Sequence, residues 1–298
     1  MTHEPYIRLG FFFGVLCFMS LWEVVASRRR LLASKPIRWF SNLGLVAINS
    51  LLVRVVLTFG AVGVSLVVAE QKWGLFHHVA WPDWWELLLA VVLFDLVIYL
   101  QHVMFHAVPA FWRFHMVHHA DPDLDVTTGL RFHTIEIALS MGLKIVTIVV
   151  LGPSPLAVLV FEVLLNATSM FNHSNAKIPV GIDRYVRLFV VTPDMHRVHH
   201  SAIPHETNSN FGFNLPWWDW LLGTYLAHPS EGHERMAVGL AHMDVARAIW
   251  LPWMLVLPFA NQDSRYPIRG ERVDPVKLEP DNSSAPKQAS KSDSGGLQ

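Results

Sequence analysis

The chain has 298 residues, enough for one large domain or two ordinary ones, and 52% of them are hydrophobic against 16% charged. Twelve tryptophans and a mean hydropathy of +0.33 make it more apolar than a typical soluble domain and point to a membrane protein. A formal net charge of −1 offers no basic stripe to a nucleic acid, and the lone Cys17 excludes a disulfide framework or a cysteine zinc site.

The first apolar stretch covers residues 6–26 and is followed by Arg28, Arg29, Arg30, Lys35 and Arg38. A signal peptide carries its charge before the apolar core, so this order predicts a retained membrane helix with a cytoplasmic basic flank. A second stretch, 43–69, is long enough to span with tilt although Arg54 interrupts it. The third, 84–106, contains Asp95 and is preceded by an aromatic belt of Trp81, Trp84 and Trp85. The fourth and fifth, 135–151 and 155–171, are joined by Gly-Pro-Ser-Pro, a turn short enough to make them a hairpin. Residues 248–260 are short and carry two prolines, which suits an interfacial segment better than a span. From residue 262 onward Ser, Pro, Lys, Asp and Gly dominate, and a disordered tail is expected.

This divides the chain into N-terminal transmembrane helices (1–83), a catalytic region (84–228), an interfacial segment (229–261) and a tail (262–298). The expected fold is all-α, an integral membrane helical bundle of four to five transmembrane helices with a cytoplasmic histidine-rich cap. Counting sides from the basic flank brings residues 102–119, 173 and 196–200 to the cytoplasmic face.

Nine of the seventeen histidines lie in those segments. His102 and His106 form H-x3-H. His115, His118 and His119 form H-x2-HH, repeated by His196, His199 and His200, and His173 stands alone in Asn-His-Ser-Asn. Spacings of three and four put imidazoles on one helical face. The set exceeds what one ion uses, and two ions with three to five imidazoles each would consume it. Nitrogen donors suit iron, copper or zinc and disfavour magnesium or calcium. Carboxylates that accept a ligand's distal N–H are expected nearby, with Glu136, Asp194, Asp121 and Asp125 as candidates and His133 as a further outer partner. His205 reads as structural, His77 and His78 as interfacial, and His3, His228, His233 and His242 as surface residues. Arg54 and Asp95 are charges within spans and can pair with each other; Lys144 can snorkel or reach a carboxylate; Asn166 and Ser169 can line a cavity beneath the metals.

The ordered set of three boxes resembles the fatty acid hydroxylase/sterol desaturase superfamily. Arg131-Phe132-His133 with Glu136, Asn172-His173-Ser174-Asn175, Glu206-Thr207-Asn208-Ser209-Asn210-Phe211-Gly212, and Trp218-Asp219 before Gly223-Thr224-Tyr225 extend the likeness over residues 85–228. The resemblance implies a membrane oxygenase with two histidine-held iron ions that uses O2 and supplied electrons to hydroxylate or desaturate a lipid C–H bond. No G-x-G-x-x-G or Cys-x-x-Cys-His is present, so an electron-donor protein, cytochrome b5-like or a ferredoxin with its reductase, is implied. A di-zinc membrane hydrolase is the alternative, although H-E-x-x-H is absent and so many histidines would leave few open positions. A bis-histidine haem protein or a metal transporter would need fewer histidines or a different distribution of them.

Overall fold

The structure, a computed structural model, describes residues 3–56, 60–80, 82–241, 243–260 and 266–268. Trp81, His242 and most of the expected tail lie outside the described residues. Among those described, the regular structure is helical, with only isolated bridges at Ser27–Ala176 and Ser201–Val238.

Five stretches are long and apolar enough to cross a membrane: α1 (Glu4–Val25); the stretch that holds α2 (Lys35–Val56) and α3 (Gly60–Glu70); α4 (Asp83–Ala107); α6 (Thr134–Leu151); and α7 (Pro155–Asn172). Short helices fill the rest: α5 (Pro109–His119), α8 (Val180–Val186), α9 (Pro193–His199), α10 (Pro204–Thr207), α11 (Trp217–Leu222), α12 (Val245–Ala248) and α13 (Leu251–Ala260). The long helices leave large apolar side chains exposed, among them Leu9, Phe11, Phe13, Phe18, Val146 and Val150. Such a surface is suited to hydrocarbon. Between α3, α4, α6 and α7, a core of Phe94, Ile98, Ile148, Val158 and Phe161 is buried.

The α6–α7 hairpin is closed by local chemistry. Gly152 ends α6 at φ +70°, and Ser154 caps α7 by accepting the Ala157 N–H at 3.2 Å, with Pro155 in the first turn. Gly74 crosses it so closely that a Cβ there would lie 2.3 Å from the Gly152 nitrogen. Glu86 accepts both the N–H and the hydroxyl of Ser154 at 2.9 Å. The start of α4, the end of α3 and this hairpin therefore share one end of the bundle.

Polar contacts build the opposite end. Arg38, fully buried, donates to Asp121 at 2.7 and 2.9 Å and to Asp125 at 2.6 Å. Asp123 accepts the N–H groups of Leu32 and Ala33, and Glu23 accepts those of Val126 and Asn175. The basic flank and all nine clustered histidines thus lie at the same end, as side-counting predicts.

The second stretch differs from its expected bounds. It is helical from Lys35, because Arg38, Asn42 (to Thr127 Oγ1, 3.0 Å) and Asn49 (to the Phe132 carbonyl, 2.9 Å) tie α2 to the 121–132 segment. Asp121 and Asp125 serve that arginine and not the imidazoles. Asp95 does not pair with Arg54, which is exposed on α2; it accepts the N–H groups of Asn214 and Leu215 and the Trp218 indole at 2.8–3.2 Å. Lys144 reaches Glu162 at 2.6 Å, and Arg8 of α1 meets the same carboxylate at 2.5 Å. Asn166 donates to the Glu162 carbonyl. Within the stretch expected as a tail, Tyr266 is buried, with 1% of its surface exposed.

Replacing Arg38 with Gln leaves two buried aspartates without their cation, which costs about 3–5 kcal/mol. In detergent the melting temperature should fall by roughly 10 °C; a melting temperature equal to that of the parent protein would contradict this assignment.

Candidate metal centre

Each element that carries a clustered histidine has a local reason to exist. α4 carries His102 and His106 one turn apart near its C-terminal end. Val108 ends it in extended geometry, and Pro109 starts α5 at once, turning His115, His118 and His119 back towards α4. Thr192 caps α9 and Pro193 opens it, which sets His196, His199 and His200 on the final turn. His173 is the C-cap residue of α7.

The nine imidazoles converge, and all are buried. They sort into a group of five, His102, His106, His115, His119 and His199, and a group of four, His118, His173, His196 and His200. Within each group one nitrogen per ring lies within 4.8 Å of all the others.

The protons on these rings are set by what their outer nitrogens touch. His118 Nδ1 faces the Arg131 carbonyl at 3.2 Å, His173 Nδ1 the Ser169 carbonyl at 2.7 Å, His199 Nδ1 the Ser209 carbonyl at 2.7 Å and His102 Nδ1 the Phe211 carbonyl at 2.8 Å. His115 Nδ1 meets Glu136 Oε1 at 2.6 Å and His106 Nδ1 meets Asn208 Oδ1 at 3.0 Å. A carbonyl oxygen only accepts, so Nδ1 must carry the hydrogen and Nε2 the lone pair. Yet among the rings whose Nδ1 is anchored, the Nε2 atoms of His118 and His173 are 3.0 Å apart and those of His102 and His115 3.1 Å. His196 Nε2 and His119 Nε2 approach the Nε2 atoms of His173 and His106 at 3.0 and 3.1 Å. Opposed lone pairs at this distance repel unless a cation lies between them. His196 Nδ1, His199 Nε2 and both nitrogens of His200 are buried without a hydrogen-bond partner, and a ligated metal would satisfy His199 Nε2 and one nitrogen of His200.

The spacing also bears on coordination. Nitrogens about 2.1 Å from a metal are about 3.0 Å apart at a right angle and about 3.4 Å apart at the tetrahedral angle. The observed contacts of 3.0–3.1 Å lie within the spacing that shared ligation of one ion allows. These residues fit a pair of first-row transition-metal ions.

Burial holds the imidazoles neutral. His115 and His173 are pushed down to about 3, and His118, His119, His196, His199 and His200 fall well below the ordinary value of 6.5; loss of hydration is the main cause, and crowding by other imidazoles reinforces it in most of them. Apolar walls enclose the rings. Phe132 stacks on His118 at 4.5 Å, Phe211 lies 5.1 Å from His106, and Phe105 stacks on His115 at 5.7 Å.

The structure distributes the expected outer partners differently. Glu136 holds His115. Asp194 instead pairs with Arg28 at 3.1 Å and with Arg197, because two buried or half-buried guanidinium groups claim it. His133 caps α6, accepting the Ile135 N–H and donating to the Leu255 carbonyl, and its ring packs on Phe114. His233 is not free on the surface: it is partly buried, 3.9 Å from Asp194. His205, His77, His78, His3 and His228 are exposed. Ser169 supports the site through its carbonyl, and its hydroxyl donates to the Gly129 carbonyl.

Sequence reasoning missed Asp219 and Asn208. Asp219 accepts the N–H groups of Phe211 and Gly212 at 2.8 Å and so fixes the carbonyl that holds His102; burial pushes it up to about 6. The Trp218-Asp219 and Asn208 motifs were visible, but the carbonyls they place have no sequence signature.

The family model for fatty acid hydroxylase matches residues 87–224. The chain is 34% identical to ornithine lipid hydroxylase OlsE of Rhizobium tropici over 155 residues, covering 50% of this chain and 46% of that protein. It is 30% identical to alkylglycerol monooxygenase of Xenopus tropicalis over 216 residues (67% and 46%) and 29% identical to cholesterol 25-hydroxylase of Homo sapiens over 156 residues (50% and 52%). The chain thus spans about half the length of the curated relatives it matches. No solved structure matches it with significance.

The depressed imidazoles fix the sign of an acid effect. The unfolded chain takes up protons below about 6.5 that the folded site refuses down to about 3, so stability is lost as pH falls through this interval. Metal-free protein in detergent should melt progressively lower from pH 7 to pH 5; a flat profile over that range would contradict the buried, neutral assignment.

Proposed function

From the match of residues 87–224 to the fatty acid hydroxylase family model, we propose that the chain is an integral membrane lipid hydroxylase that works with two iron ions, O2 and electrons from a separate donor protein. The reading rests on the sorting of nine buried imidazoles into groups of five and four whose lone pairs converge. The relatives named above are hydroxylases and monooxygenases, which favours hydroxylation over desaturation and leaves the zinc hydrolase without support.

On this reading His102, His106, His115, His119 and His199 hold one ion, and His118, His173, His196 and His200 the other. Iron bound there would supply the oxidising power, with one oxygen atom of O2 entering the C–H bond and the other leaving as water on delivery of two electrons and two protons. The chain's own part is to hold, orient and exclude. Carbonyls of Ser169, Ser209, Phe211 and Arg131 fix the ring planes, and Glu136 holds the proton at His115 Nδ1. Phe105, Phe132, Phe211 and Trp112 keep water from the site, which limits wasteful side reactions.

Phe213 lies 6.4 Å from the rings of His102, His173 and His196 and belongs equally to the apolar core with Phe94 and Phe161. It marks the side from which a lipid chain would meet the centre. We place the centre at the cytoplasmic face, since Arg28, Arg29, Arg30, Lys35 and Arg38 share its end of the bundle. Residues 84–228 form the catalytic region, 1–83 the preceding spans, 229–261 an interfacial segment and 262–298 the tail. The electron donor is cytochrome b5-like or a ferredoxin, because the chain carries no flavin, haem or nicotinamide fingerprint.

Detergent-purified protein should contain close to two irons per chain, and 18O2 should label the hydroxylated lipid. Zinc alone together with lipid hydrolysis would overturn the proposal. His118→Ala and His199→Ala, one from each group, should abolish hydroxylation while membrane insertion persists; full activity in either removes that residue from the ligand set. Glu136→Ala should weaken metal retention about 10–100-fold, and unchanged retention would show that the His115 contact is dispensable.

A further inference from the structure

Tyr266 lies beyond the family-matched region and beyond every motif in the sequence, yet it is among the largest fully buried side chains. Its ring stacks on Trp112, with centroids 5.6 Å apart and an interplanar angle of 20°. The Trp112 ring in turn lies 4.9 Å from His106 and 5.3 Å from His119. The Tyr266 hydroxyl donates to the Ala202 carbonyl at 3.0 Å and accepts the Ala241 N–H at 2.8 Å, which ties it to the chain just after His200. Its own carbonyl accepts Asn208 Nδ2 at 2.7 Å. Two residues on, the Ile268 N–H donates to the His106 carbonyl at 2.9 Å.

Asn208 is the link. With Nδ2 committed to the Tyr266 carbonyl, its Oδ1 must face His106 Nδ1. That orientation requires the hydrogen on Nδ1 and frees Nε2 for a metal. Without the anchor the amide can rotate and offer its NH2 to Nδ1, which favours the other tautomer and puts a hydrogen where the metal belongs. Any residue at position 266 has the carbonyl; the ring and the hydroxyl keep that carbonyl in place.

We infer that Tyr266 is a positioning residue for the five-imidazole group, acting on His106 through Asn208 and Trp112. This rests on the reading that both groups hold metal. It makes residues 266–268, at the start of the proposed tail, part of the support of the metal centre.

The test loads the full-length chain with iron(II) in detergent and follows metal release to a ferrous chelator in the parent and in Tyr266→Ala, Tyr266→Phe, Asn208→Leu and Asn208→Asp. Tyr266→Ala and Asn208→Leu should release one metal per chain about 10–100-fold faster, while the second leaves at the parent rate. Asn208→Asp keeps an oxygen towards His106 and should stay within a few-fold of the parent, as should Tyr266→Phe, which keeps the stack. If Tyr266→Ala does not fold, the Asn208 pair decides. Parent release rates for both metals in Tyr266→Ala or Asn208→Leu, or equal acceleration of both together with a lost melting transition, would overturn the inference. A parent protein that binds no iron would instead overturn the functional reading.

Discussion

A neutral imidazole has one proton to place, and in this protein its outer nitrogen takes it. Six rings donate Nδ1–H to an oxygen fixed by the fold: the carbonyls at residues 131, 169, 209 and 211, the Glu136 carboxylate and the Asn208 amide. The inner nitrogens are then lone pairs with nowhere to go. Burial removes the other escape, protonation, because it penalises the imidazolium. Neutral donors, dehydrated and aimed inward, are what a transition-metal ion needs, and the rest of the structure serves that condition.

The supporting layer is made from charge as well as packing. Arg38 gathers Asp121 and Asp125, which anchors the segment that ends at Arg131, and the Arg131 carbonyl then holds His118. Asp95 and Asp219 grip successive amides of the 211–215 loop from two sides, so the Phe211 carbonyl points at His102. Glu162 joins Lys144 of α6 to Arg8 of α1 within the spans, where an unpaired charge is expensive. The contacts of Arg38, Asp95 and Arg8 join segments far apart in sequence, which lets short helices with little core of their own hold the imidazoles in place.

Much of this was legible before any coordinates. The spans at 135–151 and 155–171 appear within one residue of α6 and α7, since Gly-Pro-Ser-Pro is a local signal for a turn and a cap. The nine imidazoles and Glu136 were legible because spacing and residue type carry their chemistry. The destinations of Arg38, Asp95 and Asp194 were not, because a charge in a sequence has no address until the fold supplies one. Arg54 is exposed, whereas Asp95 is buried against the amides of Asn214 and Leu215. His133 carries the family motif, yet two helix-terminal hydrogen bonds use both its nitrogens. Tyr266 sits in polar, Pro-containing chain whose composition reads as disorder, and nothing local announces the stack on Trp112.

The central claim is that the five- and four-imidazole groups each hold one metal ion. Anomalous diffraction from crystals of the iron-loaded protein, collected at the iron edge, tests it directly. The account predicts two peaks, one amid the Nε2 atoms of His102, His106, His115 and His119 and one amid those of His118, His173 and His196. A single peak, or iron bound away from both groups, would contradict it.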